Sequence, residues 1–438
     1  MRIPTTSHKR LVIIGGGFAG LNLARGLDGT ALQVILLNAT NYFNFQPLLY
    51  QVATGGLEPN SIAYPLRRIF QGANNVSVRV AEVMGIRPSS RTIQTSQGSL
   101  TYDYAVIATG SRPNFFGLDP DVLLPLKSVP DALRLRNWIL TRMEEALVEK
   151  DPSRKKAMMN FIIVGGGPTG VELAGALAEM KRWVLPSDYP DLDLRQMRIH
   201  LLEGESRLLP AMSEKASARA REYLEGMGVN IHLQKLIKEY DGRCLELGGQ
   251  RLNSRNLIWT AGVKAQVPGG LLERAETEKG RLLVDRFHQV QGMDNVFAIG
   301  DVAHMPTDDF PNGHPMLAPV AIQQGRHLAS NIKRRLRGKK ETPFTYTDRG
   351  AMATIGRNKA VADLPRIFLH GFPAWLAWML VHIITLVGFR NRLIVLINWM
   401  YSYLTYDKAL RLIIRKPEDS KRPIGKPEPR YTEEETEA

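Results

Sequence analysis

The sequence predicts an α/β protein with two parallel-sheet units of the doubly wound kind and a helical C-terminal segment of different composition. Three observations predict it. A glycine-rich turn occurs twice, each time between an apolar strand and a small-residue helix. Three further strands run into small-residue or Gly-Asp turns. Beyond Arg366 the chain turns apolar and aromatic.

The first turn, Gly15-Gly16-Gly17-Phe18-Ala19-Gly20, follows Leu11-Val12-Ile13-Ile14, and the second, Gly165-Gly166-Gly167-Pro168-Thr169-Gly170, follows Phe161-Ile162-Ile163-Val164. Both fit G-x-G-x-x-G in the strand–turn–helix context that gives the motif meaning. The first glycine permits the tight turn, the second lets the backbone approach a pyrophosphate, and the third lets helix and strand pack closely. Free N–H groups and the positive end of the helix dipole then face the phosphates. These are Rossmann-like fingerprints, and two copies imply two dinucleotides with electron transfer between them.

Later landmarks distinguish the copies. Tyr104-Ala105-Val106-Ile107-Ala108-Thr109-Gly110 follows the first fingerprint, and Leu257-Ile258-Trp259-Thr260-Ala261-Gly262 repeats the pattern after the second. Asn295 to Asp301 is a strand ending in Gly300-Asp301. This order resembles the two-dinucleotide-domain flavoproteins. The resemblance implies FAD on the N-terminal fingerprint, Asp301 as a ligand of the flavin's ribityl chain, and an inserted NADH-binding domain. The plain structural reading of Asp301 is a helix N-cap. The expected division is 1–118 and 265–340 for the FAD domain, 119–264 for the NADH domain, 341–416 for a membrane-anchoring region, and 417–438 for a Pro- and Glu-rich disordered tail.

The residue that ends each second strand refines the cofactor choice. Glu203, after Ile199-His200-Leu201-Leu202, suits a ribose 2′-OH and would repel a 2′-phosphate, which favours NADH over NADPH; Arg207 nearby is a competing signal. In the first unit Val34-Ile35-Leu36-Leu37 ends in Asn38, where the flavoprotein pattern has Asp or Glu. An amide can still bond a ribose hydroxyl, but without charge.

At 438 residues the chain fits two or three domains. Met1 to Arg10 is short and polar and reads as no signal peptide. Cys244 is the single cysteine, which rules out an intramolecular disulfide and suits a cytosolic setting. It also excludes the dithiol chemistry of the flavoprotein disulfide reductases and the cysteine chemistry of sulfide-oxidising quinone reductases. No histidines stand in metal-ligand spacing, so no metal is expected.

The net charge of +14 is uneven. From Arg326 to Lys416 there are 17 Lys and Arg against 4 Asp and Glu, densest at Lys333-Arg334-Arg335-Leu336-Arg337-Gly338-Lys339-Lys340. Alone, such a cluster reads as a nucleic-acid, lipid or acidic-protein site, or as a solvated helix end. Its neighbours favour lipid. Gly371 to Phe389 carries no charge, and Leu393 to Ile414 contains Trp399, Tyr401, Tyr403 and Tyr406, with Arg390 and Arg392 between the two segments. Aromatic residues with basic flanks mark the bilayer interface. The first segment is barely long enough to span, since about 20 residues are needed. Two helices in the headgroup plane of an anionic leaflet are therefore expected, with no nucleic-acid partner.

On these residues the chain resembles the type II NADH:quinone oxidoreductases, single-subunit monotopic respiratory enzymes that do not pump protons. The resemblance runs from about His8 to Ile414 and rests on several local runs: Phe45 to Thr54, Gly165 to Gly175, Ala318 to Gly325, and Ala353-Thr354-Ile355-Gly356. It implies that Gly15, Gly17, Ala19, Gly20, Asn38, Gln46, Pro47, Ala108, Thr109, Gly110, Gly300, Asp301 and Ala321 hold FAD. It implies likewise that Gly165, Gly167, Pro168, Thr169, Gly170, Glu203, Ala261 and Gly262 hold NADH. Glu172 is expected at the nicotinamide, holding the ring or relaying a proton, against the plain reading of a dipole-stabilised glutamate in a first helical turn. Gln323 is expected at the flavin edge and the quinone carbonyl, against the reading of a satisfied amide. Gln324 and Lys359 are further quinone candidates, with Arg357 an alternative to Lys359; Pro319 stands where some relatives carry Gln. A homodimer on the cytoplasmic face of the plasma membrane is also implied. The competing readings are a soluble NADH-dependent reductase of a small iron–sulfur carrier and a redox-sensing protein that barely turns over.

Overall fold

The computed structural model describes residues 1–247, 249–271, 275, 277–406 and 410–414. The expected disordered tail at 417–438 lies outside them.

The chain begins with β1 (Lys9–Ile14), α1 (Phe18–Gly26), β2 (Leu32–Asn38), β3 (Val76–Val80) and β4 (Tyr104–Ile107). It then crosses into a second unit of β5 (Leu124–Pro125), α2 (Val129–Val148), β6 (Asn160–Val164), α3 (Pro168–Glu179), β7 (Arg198–Leu202), β8 (Val229–His232) and β9 (Asn256–Trp259). It returns through β10 (Val296–Ala298) and α4 (Ala318–Leu336). The outward crossing, Ser111–Pro113, pairs antiparallel with the returning Val263–Ala265, which ties the two crossings together.

Each unit holds a five-stranded, all-parallel sheet, ordered β10-β4-β1-β2-β3 in the first and β5-β9-β6-β7-β8 in the second. In both, the strand before the glycine turn is central and almost wholly buried. Parallel strands covered on both faces read as unbroken apolar runs, which explains Leu11–Ile14 and Phe161–Val164. α1 and α4 lie so close that a Cβ on Gly26 would come within 2.5 Å of the Ala329 methyl. α2 starts at a capping box in which Ser128 accepts from the Asp131 N–H and Asp131 accepts from the Ser128 N–H.

The chain ends in an antiparallel sheet of β11 (Ala351–Gly356), β12 (Lys359–Leu364) and β13 (Ile367–His370), followed by α5 (Phe372–Thr385) and α6 (Phe389–Thr405). β11 packs on α3 at Gly175, where any Cβ would collide with the Ile355 carbonyl. The apolar run 371–389 is not one helix: α5 stops at Thr385, and Gly388 turns the chain at φ +88°. No helix of the described residues is long and apolar enough to cross a membrane. The two helices instead expose large apolar side chains, including Ile384 at 65%, Phe389 at 80% and Leu404 at 76%. Asn391 anchors α6 to the first unit by donating to the Asn60 and Ser61 carbonyls at 2.9 and 3.2 Å.

Candidate functional site: two glycine cradles and an aromatic-walled cavity

At the C-terminal edge of each parallel sheet the glycines divide the same labour. A Cβ on Gly15 would strike the Ala108 carbonyl, and one on Gly165 would lie 2.8 Å from the Ala261 backbone. A Cβ on Gly20 or Gly170 would strike the carbonyl of its own first glycine. Gly17 and Gly167 meet nothing within 4 Å, so their open side faces space that a ligand backbone can fill. The first and third glycines thus serve the fold, and the middle one leaves room at the helix start. Pro168 and Thr169 are exposed at the start of α3, and Gly262 is exposed beyond β9.

The first cradle gathers more than its fingerprint. Gly300 sits with Ala19 and Ala321 against it, and its N–H donates to the Gln324 Oε1 at 2.7 Å. The Gln324 Nε2 is buried without an acceptor. Asp301 caps no helix; its carboxylate accepts from the Ser111 hydroxyl at 2.5 Å. The Thr109 hydroxyl donates to the Gln266 carbonyl, and Gly110 adopts φ +70°. Gln46 and Pro47 open a short 3-10 turn beside buried Phe45 and Leu48. An open glycine cradle, a half-buried carboxylate and an orphaned buried donor fit a bound FAD.

Asn38 and Glu203 each reach back to the middle of their turns, Gly16 N–H to Asn38 Oδ1 at 2.8 Å and Gly166 N–H to Glu203 Oε2 at 2.5 Å. Arg207 is held by the Pro210 and Met212 carbonyls at 2.8 and 2.7 Å. Its guanidinium is thereby committed to the backbone.

Between the two units and the C-terminal sheet lies a cavity with about 870 Å³ of empty space, its open mouth included. One wall is a face of α3: Glu172, Ala176 and Glu179. Tyr50, Gln51 and Thr54 supply the inner end, and Trp378 and Trp399 supply the walls from α5 and α6. Trp183, Ser402, Tyr403 and Tyr406 also line it. The Trp399 indole donates to Gln51 Oε1 at 2.7 Å, and Gln51 Nε2 donates to the Tyr50 hydroxyl at 2.9 Å. Burial raises the Tyr50 hydroxyl well above its ordinary range, with the Glu172 charge adding to the shift.

Glu172 is the chemically unusual group here. It is the fifth residue of α3, not part of the first turn, and it is buried. Burial pushes its carboxyl up to about 8, opposed by the Thr354 N–H, which donates to Oε1 at 3.4 Å. The Trp378 indole N–H also favours the charged form but makes no hydrogen bond in this geometry. At neutral pH Glu172 is therefore a neutral acid facing a cavity lined by aromatic rings.

Residues 9–325 match the family described as pyridine nucleotide-disulphide oxidoreductase, and 349–406 match the NDH2 C-terminal domain. The Mycobacterium tuberculosis type II NADH:quinone oxidoreductase Ndh is 35% identical over 424 residues, covering 92% of this chain and 89% of that protein. The type II NADH:quinone oxidoreductase NdhA of the same organism is 34% identical over 415 residues, covering 90% of this chain and 87% of that protein. The chain belongs to the type II NADH:quinone oxidoreductases. In fold it is similar to the structure of NDH2 from Plasmodium falciparum in complex with NADH, with a TM-score of 0.85, 21% identity, and coverage of 93% of this chain and all of that one. The match at 349–406 and the relatives' names do not favour a soluble reductase of an iron–sulfur carrier.

Within this type II oxidoreductase the quinone candidates fall in different places. Gln323 is half-buried on α4, and its amide is tied both ways to Thr347, donating to the carbonyl at 2.9 Å and accepting from the N–H at 3.0 Å. Gln324 is committed to Gly300. Neither lines the large cavity; Lys359 lines a smaller cavity next to it, and Arg357 lines both. The sequence reading missed Glu179, Tyr50, Gln51, Trp378 and Trp399 as cavity residues. One signal was available: Glu172 and Glu179, seven apart, are the only charged residues of α3 and share a helical face.

Proposed function

We propose that this chain is a membrane-associated, FAD-dependent NADH:quinone oxidoreductase in which quinone reaches the flavin through the large cavity. Overall, NADH and one proton reduce quinone to quinol and leave NAD⁺. The observation that carries the reading is the cavity's lining, which joins Tyr50 of the first unit and Glu172 of α3 to Ser402 on the apolar-faced α6 and Tyr406 just after it. When bound, FAD supplies the two-electron chemistry that links hydride donor to quinone. Gly15, Gly17, Ala19, Gly20, Asn38, Gln46, Pro47, Ala108, Thr109, Gly110, Gly300, Asp301 and Ala321 would hold it.

The protein's own part is position and protons. Glu203 and the α3 turn orient NADH, and the aromatic walls hold a quinone ring and exclude water. Glu172, neutral at pH 7, supplies a proton at its carboxyl oxygen as the quinone oxygen gains charge. Gln323 and Gln324 brace α4 against Thr347 and Gly300, which supports a role in positioning the cradle. The exposed apolar faces of α5 and α6 and the basic cluster near 333–340 support docking on an anionic leaflet, on the cytoplasmic side. The family resemblance supports a homodimer.

Ser402→Trp tests the route by placing an indole in the cavity from its rim. Reoxidation of reduced flavin by quinone should slow at least about tenfold, while bleaching by NADH is unchanged; each tenfold is about 1.4 kcal/mol of barrier. Unchanged reoxidation would contradict the route.

A further inference from the structure

Beside the large cavity lies a smaller one, sharing Glu179, Trp183, Arg357 and Tyr406 with it and adding Arg182 and Lys359. The Arg357 guanidinium is clamped between two rings, 3.9 Å from the centroids of both Tyr403 and Tyr406. Its Nε and Nη1 are buried with no acceptor. The Arg182 guanidinium lies 4.8 Å over the Trp183 ring. Among the described residues, none of Arg182, Arg357 and Lys359 forms an ion pair. The one carboxylate in the wall, Glu179, is engaged by the Arg357 backbone N–H at 2.5 Å. Residues Met180–Val184 form a single π-helical turn that displays Arg182 and Trp183 here, a distortion that often marks functional positions.

Three cations against one engaged carboxylate give this wall a net positive charge that suits an anion, and phosphate oxygens match guanidinium donors closely. The surroundings say where the phosphate comes from. Trp183 and Tyr406 are 46% and 40% exposed, and Met400 and Leu404 of α6 are exposed nearby along the chain. Aromatic side chains with basic neighbours sit at headgroup depth.

We propose that the smaller cavity binds the phosphate of an anionic phospholipid whose acyl chains lie along the apolar face of α6. The inference rests on the reading that α5 and α6 face the membrane. Because the two cavities share Arg357 and Tyr406, a bound headgroup seats the mouth of the larger one at the lipid surface, where a sparingly soluble quinone is concentrated.

The test uses the full chain with vesicles of phosphatidylcholine, with and without phosphatidylglycerol, read by co-sedimentation and by tryptophan fluorescence. Arg182→Gln is the site variant, since this exposed residue lines only the smaller cavity. Arg87→Gln, with the same charge change at an exposed position outside the basic cluster and the C-terminal helices, is the control. Arg182→Gln should weaken binding to phosphatidylglycerol vesicles about fivefold and leave turnover with a water-soluble quinone unchanged; Arg87→Gln should change binding less than about twofold. A fluorescence change absent from Trp183→Phe should accompany phosphatidylglycerol and not phosphatidylcholine. Equal weakening by both variants would overturn the site in favour of diffuse surface charge. The same Trp183 signal from inorganic phosphate alone would assign the cavity to free phosphate. Binding to neither vesicle would overturn the membrane-facing reading as well, whereas equal binding to both would spare that reading and refute the lipid site.

Discussion

Two cradles in this molecule do the same backbone task with different side-chain chemistry. In the first, Asn38 accepts from Gly16 through Oδ1 and donates through Nδ2 to the Thr40 carbonyl at 2.9 Å and the Thr40 hydroxyl at 3.0 Å. In the second, Glu203 accepts from Gly166 through one oxygen and from the Glu205 N–H at 2.9 Å through the other. The amide therefore bridges a donor and an acceptor, whereas the carboxylate can only accept. The difference teaches that Asn38 is suited to its local loop and is not a weakened carboxylate. At the position that holds the middle of the glycine turn, only the second cradle, the one proposed to receive NADH, carries a carboxylate.

The sharpest way to break the comparison is to damage each cradle at its first glycine. Gly15 and Gly165 stand at φ +109° and +105°, each against a neighbouring strand end. A side chain at such a position costs about 1–3 kcal/mol before any collision. Gly15→Ala should yield colourless protein, with flavin affinity down by about 100-fold or more. Gly165→Ala should purify yellow and lose flavin reduction by NADH to a similar degree. Flavin loss in both variants would show that the cradles are not separable.

Next in size is Glu203→Ala. Loss of a charged acceptor is worth about 1.5–3 kcal/mol, so the ratio of kcat/KM for NADH over NADPH should fall about tenfold. An unchanged ratio would remove Glu203 from the ribose site.

A second carboxylate of the same unit extends the contrast, because Glu172 is buried and neutral where Glu203 is half-buried at the sheet edge. Its folded-state pKa of about 8 lies above the ordinary value of 4.5 for a glutamate, so the folded protein holds the proton more tightly. Stability linked to this group is thus fully present below about pH 4.5 and is lost as pH rises through about 8. The melting temperature of the wild type should fall relative to Glu172→Gln between pH 6 and 9. Quinone reduction should fall severalfold above pH 8 in the wild type, while Glu172→Gln is slower and nearly flat. Parallel profiles would exclude titration of Glu172.

The smallest effect sharpens the first cradle. Asn38→Asp restores the residue type usual in flavoproteins, yet it replaces a donor to Thr40 with an acceptor. FAD affinity, measured by flavin release, should weaken about fivefold, in keeping with one lost hydrogen bond of about 1 kcal/mol. Tighter binding would refute the bridging role.

The parallel sheets and their turns were legible because buried strands and obligatory glycines leave a local, periodic signal. Leu11–Ile14 and Phe161–Val164 announce themselves, and the glycines follow at fixed spacing. The two C-terminal helices were legible as apolar-aromatic segments, but their break at Gly388 depends on packing against Tyr64, far away in sequence. The cavity was the least legible feature. It is assembled from Tyr50, Glu172, Thr354, Trp378 and Trp399, which belong to five separate elements and share no local pattern. Gln323 shows the converse: its motif was visible, but its amide is spent on Thr347, a pairing that only the fold reveals.

The most direct test of the central claim is anaerobic stopped-flow absorbance of the full-length flavoprotein, mixed first with NADH and then with a short-chain quinone. Rapid bleaching of the flavin followed by rapid recovery on quinone is the predicted result. Bleaching without recovery would contradict quinone as the acceptor.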